Sequence, residues 1–327
     1  MAVDWRPGCG VESLKARARM LKSIRQFFEE RDVLEVETPL LSNAAGTDPH
    51  IESFKTTFNH PQLPETVALY LNSSPEFSMK RLLSAGSGSI FQICKAFRNG
   101  EAGRFHNPEF SILEWYRVDF DLRQLIDEVE QLIQTVAPAL LKKTTIRLHY
   151  AEVFLLSTGI DPLTATLADF IRCAQQKGCP EAVEICGEEH SLWLDFLFSH
   201  LVQPSLGKEG LCFIEGFPAC QASLARLNKE DPRIAERVEL FIDGIELGNG
   251  FYELSNAQEQ QQRFAAEARL RKEQGLIEPP IDQHLLAALE SGLPNCSGIA
   301  IGLDRLLMLI TEVSSIDEVM AFSVDRA

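Results

Sequence analysis

The chain opens with apolar residues at helical spacing: Leu14, Ala18, Leu21, Ile24 and Phe28 predict a helix over Val11–Arg31. Val33–Glu37 then alternates as a strand does, and Pro39 ends it. Turn formers crowd Asn43–Pro64, which predicts loops with short strands. Ser73–Ala85 reads as a turn entering a helix, with Ser74 as its cap and Pro75 at its first position. Strands over Ile90–Arg98 and Glu109–Arg117 flank the polar, glycine-containing stretch Gly100–Asn107, which predicts a long hairpin with a mobile loop. Helical patterns follow over Leu122–Leu141, Leu163–Lys177 and Glu188–Val202. Strand character returns over Leu211–Phe217, Asp231–Ile242 and Ile245–Glu253, and Asp243-Gly244 between the last two is a hairpin signal. Ala257–Gln274 and Ile281–Ser291 read as helices, Ser297–Gly302 as a strand and Leu303–Thr311 as a helix. Strands that pair mostly through hairpins, with helices around them, predict an α+β fold built on an antiparallel sheet. The expected organisation is a single domain over residues 1–327 with a mainly helical insertion at about 120–205.

Bulk composition narrows the function classes. The 327 residues are 45% hydrophobic, enough for one large core. No run of 18 apolar residues exists, so no membrane span is expected. Met1–Arg6 lacks the apolar stretch of a secretion signal, which favours a cytoplasmic protein. A net charge of −16 argues against broad nucleic-acid binding, though not against a local basic groove. The eight cysteines form no Cys-x-x-Cys pair, and Cys173, Cys179 and Cys186 lack zinc spacing, so reduced thiols are expected.

Three segments carry candidate chemistry. In the first, Phe241–Glu253, acids sit in a sequence apolar enough for a core, with Glu239 just upstream. Buried carboxylates persist only where cations meet them. A two-residue turn at Asp243-Gly244 would pair Ile242 with Ile245 and Phe241 with Glu246, putting Glu239 and Glu246 on one face as a magnesium pair. Asn249, Phe251 and Glu253 have the opposite parity, which a bulge hosted by Gly248 and Gly250 would realign. The bland alternative is a solvated sheet face with ordinary charges. In the second segment, Arg98 faces a loop with Arg104, His106 and Asn107, and the return strand puts Phe110, Glu114 and Tyr116 on one face. Arginine suits phosphate, phenylalanine a base, and Glu114 an ammonium group. In the third, Ser297–Arg305, a short strand meets Gly302 and opens into a helix whose first turn carries Arg305.

Together the three segments resemble the catalytic core of class II aminoacyl-tRNA synthetases. The helix and strand ending at Pro39 look like the first signature of that family, Phe97-Arg98 with His106–Phe110 like the second, and Gly302–Arg305 like the third. The match is nearest to lysyl-tRNA synthetases, through Ser74-Pro75-Glu76, Glu114, Tyr116 and Gly248–Phe251. Those synthetases carry an anticodon-binding domain ahead of the core; here the first signature begins within about 25 residues of Met1, so no such domain is expected. The chain therefore looks like the short lysyl-synthetase paralogues that act on elongation factor P. The run Phe217–Leu224 and the tail Ala321–Ala327 look like those paralogues too.

The resemblance implies ATP and Mg2+ as cofactors. It places ATP against Arg98, Asn99, Gly100, His106, Asn107, Phe110, Glu246, Leu247, Gly302 and Arg305, with Arg98 and Arg305 as the catalytic pair and Glu239 and Glu246 on the metal. It places lysine or β-lysine against Ser74, Pro75, Glu76, Glu114, Tyr116, Asn249, Phe251, Glu253 and Ala300. The activated amino acid would pass to a lysine of elongation factor P, with no tRNA involved, and the enzyme would be a homodimer. Ala300 stands where the synthetases usually have glycine, which would reshape the pocket toward a β-amino acid. The second signature usually reads Arg-Asn-Glu; here Arg98-Asn99-Gly100 is followed by Glu101, so the acid is displaced by one residue. A minimal tRNA-charging enzyme and a non-catalytic paralogue are the rival readings.

Overall fold

The computed structural model describes residues 5–59, 61, 66–141 and 145–327. Pro64, the expected end of the first loop region, lies outside them. In chain order the first elements are α1 (Val11–Glu29), β1 (Leu34–Glu35), β2 (Leu41–Ser42), β3 (Lys55–Phe58), β4 (Val67–Leu71), α2 (Glu76–Ser84), β5 (Ile90–Phe97) and β6 (Glu109–Val118). Then come α3 (Leu122–Val136), β7 (Ile146–His149), α4 (Tyr150–Thr158), α5 (Leu167–Lys177), α6 (Ala182–Cys186) and α7 (His190–Leu197). The last are β8 (Cys212–Pro218), β9 (Ile234–Ile242), β10 (Ile245–Tyr252), α8 (Ala257–Glu273), α9 (Gln283–Gly292), β11 (Cys296–Gly302) and α10 (Leu303–Thr311). Residues 1–120 and 255–327 gather into one compact unit, and residues 121–254 into another.

In the first unit the strands run in the order β1-β5-β6-β11. The β5–β6 and β6–β11 pairs are antiparallel, as expected. The β1–β5 pair is parallel and only two residues long, Leu34 opposite Ile90 and Glu35 opposite Phe91. Alternation within a segment reveals its faces but not the direction of its partner, so this pairing was invisible in the sequence. A small sheet of β2, β4 and β3 stands beside it, all antiparallel. Helix α1 buries Ala16, Met20, Ile24, Phe27 and Phe28, while Leu14 and Ala18 of the expected stripe are exposed. Phe28 stacks on Phe91 of β5 at 4.5 Å between ring centroids, which docks the helix on the strands. Helix α2 begins one residue later than expected, at Glu76, with Pro75 at the cap position; the Ser74 hydroxyl still accepts from the Glu76 amide at 3.2 Å.

The second unit pairs β10, β9, β8 and β7 in that order, the last two in parallel. Its helices close over an aromatic core that includes Tyr150, Phe154, Phe170, Trp193, Phe198, Phe217 and Phe241. Helix α3 starts at a reciprocal cap between Asp121 and Gln124. It stops at Val136 rather than Leu141, because Pro138 supplies no donor to continue it. The helix expected from Leu163 begins only at Leu167, after a second reciprocal cap between Thr166 and Asp169. The one expected over Glu188–Val202 is α7 followed by a π-helical turn over Phe198–Val202. Strand β7 and helices α4 and α6 were not anticipated; they are short, and α4 carries exposed Leu155 and Leu156, which blur its amphipathic pattern.

Trp193 is fully buried, stacks on Phe170 at 5.9 Å and donates through Nε1 to the Gly187 carbonyl at 3.0 Å. Trp193→Ala removes that packing and leaves a void, so it should lower stability by about 3–5 kcal/mol in chemical denaturation.

Candidate active site

In the first unit, strand register builds the floor of a site. Glu114 lies between Gln92 of β5 and Ala300 of β11, and Tyr116 between Ile90 and Gly298. Gly302 lies opposite Ile112. On this face β11 therefore presents Gly298, Ala300 and Gly302, a lane with almost no side chains beside an acid and a phenol. The Tyr116 hydroxyl donates to Glu114 Oε1 at 2.7 Å, and Thr38 donates to Gln92 at 3.0 Å. Burial, followed by the charge of Glu114, pushes the nearby Cys94 thiol up to about 12, so it stays protonated.

Farther along β6, Phe110 lies opposite Ala96, and the Arg98 guanidinium stands 5.2 Å from its ring centroid. Arg98 Nη1 is 3.6 Å from Glu101, while its buried Nε makes no hydrogen bond among the described residues. Gly100 has φ of +79°, a left-handed turn that glycine adopts without strain and that swings Glu101 back toward Arg98. Arg305 in the first turn of α10 donates to His106 Nε2 at 2.6 Å and to the Phe105 carbonyl at 3.2 Å. The Asn107 carboxamide is occupied at both ends: it donates to the Glu109 carbonyl at 2.6 Å and accepts from the Val324 amide at 3.0 Å. The main-chain N–H of Asn99 donates to the Glu52 carbonyl at 2.7 Å. Arg104 donates to the Ser314 carbonyl, and its own carbonyl accepts from Ile316. The loop expected to be mobile is thus tethered at several points. Ser74, Pro75 and Glu76 sit at the start of α2, where Lys80, itself buried, donates to Glu76 Oε1 at 2.6 Å.

In the second unit, Asp243 and Gly244 both have positive φ, and the expected turn pairs Ile242 with Ile245 and Phe241 with Glu246. The register then shifts between Glu246 and Gly248, leaving Leu247 as the extra residue. Beyond the bulge Asn249 lies opposite Glu239, and Phe251 opposite Arg237. Glu239, Glu246, Asn249, Phe251 and Glu253 therefore share one face. Glu239 accepts from Arg237 at 2.5 Å. Its pKa is raised, to about 8, mainly by burial; Arg237 opposes that, and the negative charges of Glu246 and Asp195 add to it. The Glu253 main chain is braced by Ala225 and by the Arg226 side chain, which donates to the Glu253 carbonyl at 3.0 Å. Among the described residues no three His, Cys, Asp or Glu side chains gather into a cage. Glu239 and Glu246 suit magnesium nonetheless, because that ion commonly takes one or two carboxylates and completes its shell with water and phosphate oxygens.

Several residues escaped the sequence reading. Lys80 stands four residues after Glu76 in a helix, and Arg237 two residues before Glu239 in a strand. Both spacings were legible. Gln92, Thr38 and Gln221 had no local signal, since their contacts are made with residues distant in the sequence.

Residues 3–326 match the family of class II tRNA synthetases for Asp, Lys and Asn, and the chain belongs to that family. It is 47% identical to the elongation factor P–(R)-β-lysine ligase of Pasteurella multocida, over 99% of this chain and 98% of the relative. The proteins of the same name from Vibrio cholerae (48%; 99% of each) and Pseudoalteromonas translucida (50%; 99% and 98%) are similar over the same extent. No described helix is long and apolar enough to cross a membrane.

The raised pKa of Glu239 fixes a sign for stability. Its folded value lies above 4.5, so the folded state holds an extra proton between 4.5 and about 8. Stability from this group is present below that window and lost as pH rises through it, by at most about 1.4 kcal/mol per pH unit. Half-buried Glu267, raised to about 7, acts in the same direction. In metal-free protein the thermal midpoint of Glu239→Gln should therefore decline less between pH 5 and 8 than that of the wild type.

Proposed function

We propose that this protein activates (R)-β-lysine, or lysine, with ATP and joins it to a lysine side chain of elongation factor P, releasing AMP and pyrophosphate. The observation that carries the reading is the lane of Gly298, Ala300 and Gly302 beside Glu114 and Tyr116. Such a floor admits a slender amine-bearing acid and meets its ammonium with a carboxylate. The names of the relatives, similar over nearly their whole length, supply the amino acid and the acceptor.

In this reading Phe110 supports the adenine and Arg98 offers its Nε and guanidinium edge to the α-phosphate, with Glu101 keeping it in place. Arg305 and His106 bind the nucleotide together as a hydrogen-bonded pair. Asn99, Gly100, Asn107, Leu247 and Gly302 shape the backbone around it. Glu239 and Glu246 would hold Mg2+, which when bound neutralises phosphate charge. The substrate carboxylate attacks the α-phosphorus, and the bond to the pyrophosphate leaving group breaks. Positioning and charge complementarity carry this step without a protein nucleophile. In the first unit Glu76, with one oxygen engaged by Lys80, and Glu114 are the acids for the substrate amines, while Ser74, Pro75, Tyr116 and Ala300 set its orientation. Glu253, Asn249 and Phe251 are the substrate-binding groups of the second unit. The acceptor ε-amine then attacks the acyl carbon, an amide forms, AMP leaves and the amine gives up a proton. The enzyme works as a homodimer in the cytoplasm.

Mass spectrometry of elongation factor P after incubation with the protein, ATP and β-lysine tests the whole reading; an unmodified acceptor overturns it. Parallel incubation with bulk tRNA tests the tRNA-charging alternative that family membership favours, and stable ester formation would support it. Absence of pyrophosphate exchange at saturating β-lysine would favour a non-catalytic paralogue. Glu246→Gln should lower pyrophosphate exchange about 10²–10³-fold, as loss of a charge contact made in the transition state does. Ala300→Gly, which widens the lane, should shift selectivity from β-lysine toward α-lysine, measured as the ratio of kcat/KM for the two.

A further inference from the structure

Arg237 lies on β9 two residues before Glu239, and its guanidinium makes three bonds. Nη2 donates to Glu239 Oε1 at 2.5 Å, Nη1 to the Gln221 carbonyl at 2.6 Å, and Nε to Asn249 Oδ1 at 3.2 Å. Its plane is further supported by Phe217, 4.5 Å from the ring centroid. Gln221 is fixed in turn through its Nε2, which donates to Asp195 at 2.5 Å. Arg237 is mostly buried, with 17% of its side chain exposed.

A guanidinium only donates. An asparagine beside it must turn its oxygen inward and its NH2 outward. We propose that Arg237 is a positioning residue that fixes the Asn249 carboxamide so that its NH2 meets the carboxylate of the amino-acid substrate. The proposal rests on the amino-acid-activating reading of this site. A lysine could not replace the arginine, because a single ammonium on a flexible stem does not hold three acceptors at fixed angles. The run Phe217–Leu224 then has a purpose: it supplies the ring and the carbonyl that hold the guanidinium in register with β10.

A double-mutant cycle in amino-acid-dependent pyrophosphate exchange tests this. Arg237→Lys should raise the KM for β-lysine about tenfold or more in the wild-type background. In an Asn249→Ala background the same change should leave that KM within about twofold. Any fall in kcat through Glu239 should persist in both. Equal KM factors in the two backgrounds would overturn the proposal while leaving the functional reading intact. No exchange by the wild type with either lysine isomer would overturn the reading and the proposal with it. Should Arg237→Lys fail to fold, Asn249→Asp carries the test. It keeps an acceptor toward Arg237, so its thermal midpoint should hold, but it loses the NH2 and should raise the KM at least a hundredfold. An unchanged KM in that variant overturns the proposal.

Discussion

A single extra residue in β10 determines which side chains can act together. Strand geometry alternates faces strictly, so a regular hairpin closed at Asp243-Gly244 would set Glu239 across from Gly248 and send Asn249, Phe251 and Glu253 to the other side. The bulge at Leu247 reverses that parity. It brings two acids that would hold a cation onto the same face as the groups assigned to the amino acid. Arg237 depends on the same shift, because only after it does Asn249 stand across from Glu239, within reach of the guanidinium.

Charge is handled in each unit by pairing a site acid with a buried cation on the same element. Lys80 meets Glu76 one helical turn away, and Arg237 meets Glu239 two strand residues away. Each cation offsets part of the desolvation cost of its acid. Burial still outweighs the arginine at Glu239, whose pKa remains raised.

Most of the fold was readable because its long elements carry strong periodicity. Helix α3, the β5–β6 hairpin and the Asp243-Gly244 turn followed from spacing and turn chemistry alone. The parallel pairings of β1 and β7 did not, since they join segments distant in sequence and two to four residues long. The candidate site residues were chosen from motifs, and a bulge was expected at Gly248 and Gly250; the extra residue is Leu247, beside the first of them. What escaped were the supports: Gln92, Thr38, Gln221 and Asp195 become neighbours of site residues only through tertiary register. Residue 100 also gained a reason. Its left-handed backbone favours glycine, and Glu101, the displaced acid, stands 3.6 Å from Arg98.

The tether on the Gly100–Asn107 loop has an evolutionary corollary. Both ends of the Asn107 amide and the carbonyl of Arg104 are spent within the protein, the latter on Ile316 and one amide end on Val324. Segments some two hundred residues apart thus share one structural fate. Among natural variants, drift in the tail should be accompanied by compensating drift in the loop, giving a covarying pair that a survey of either segment alone would miss.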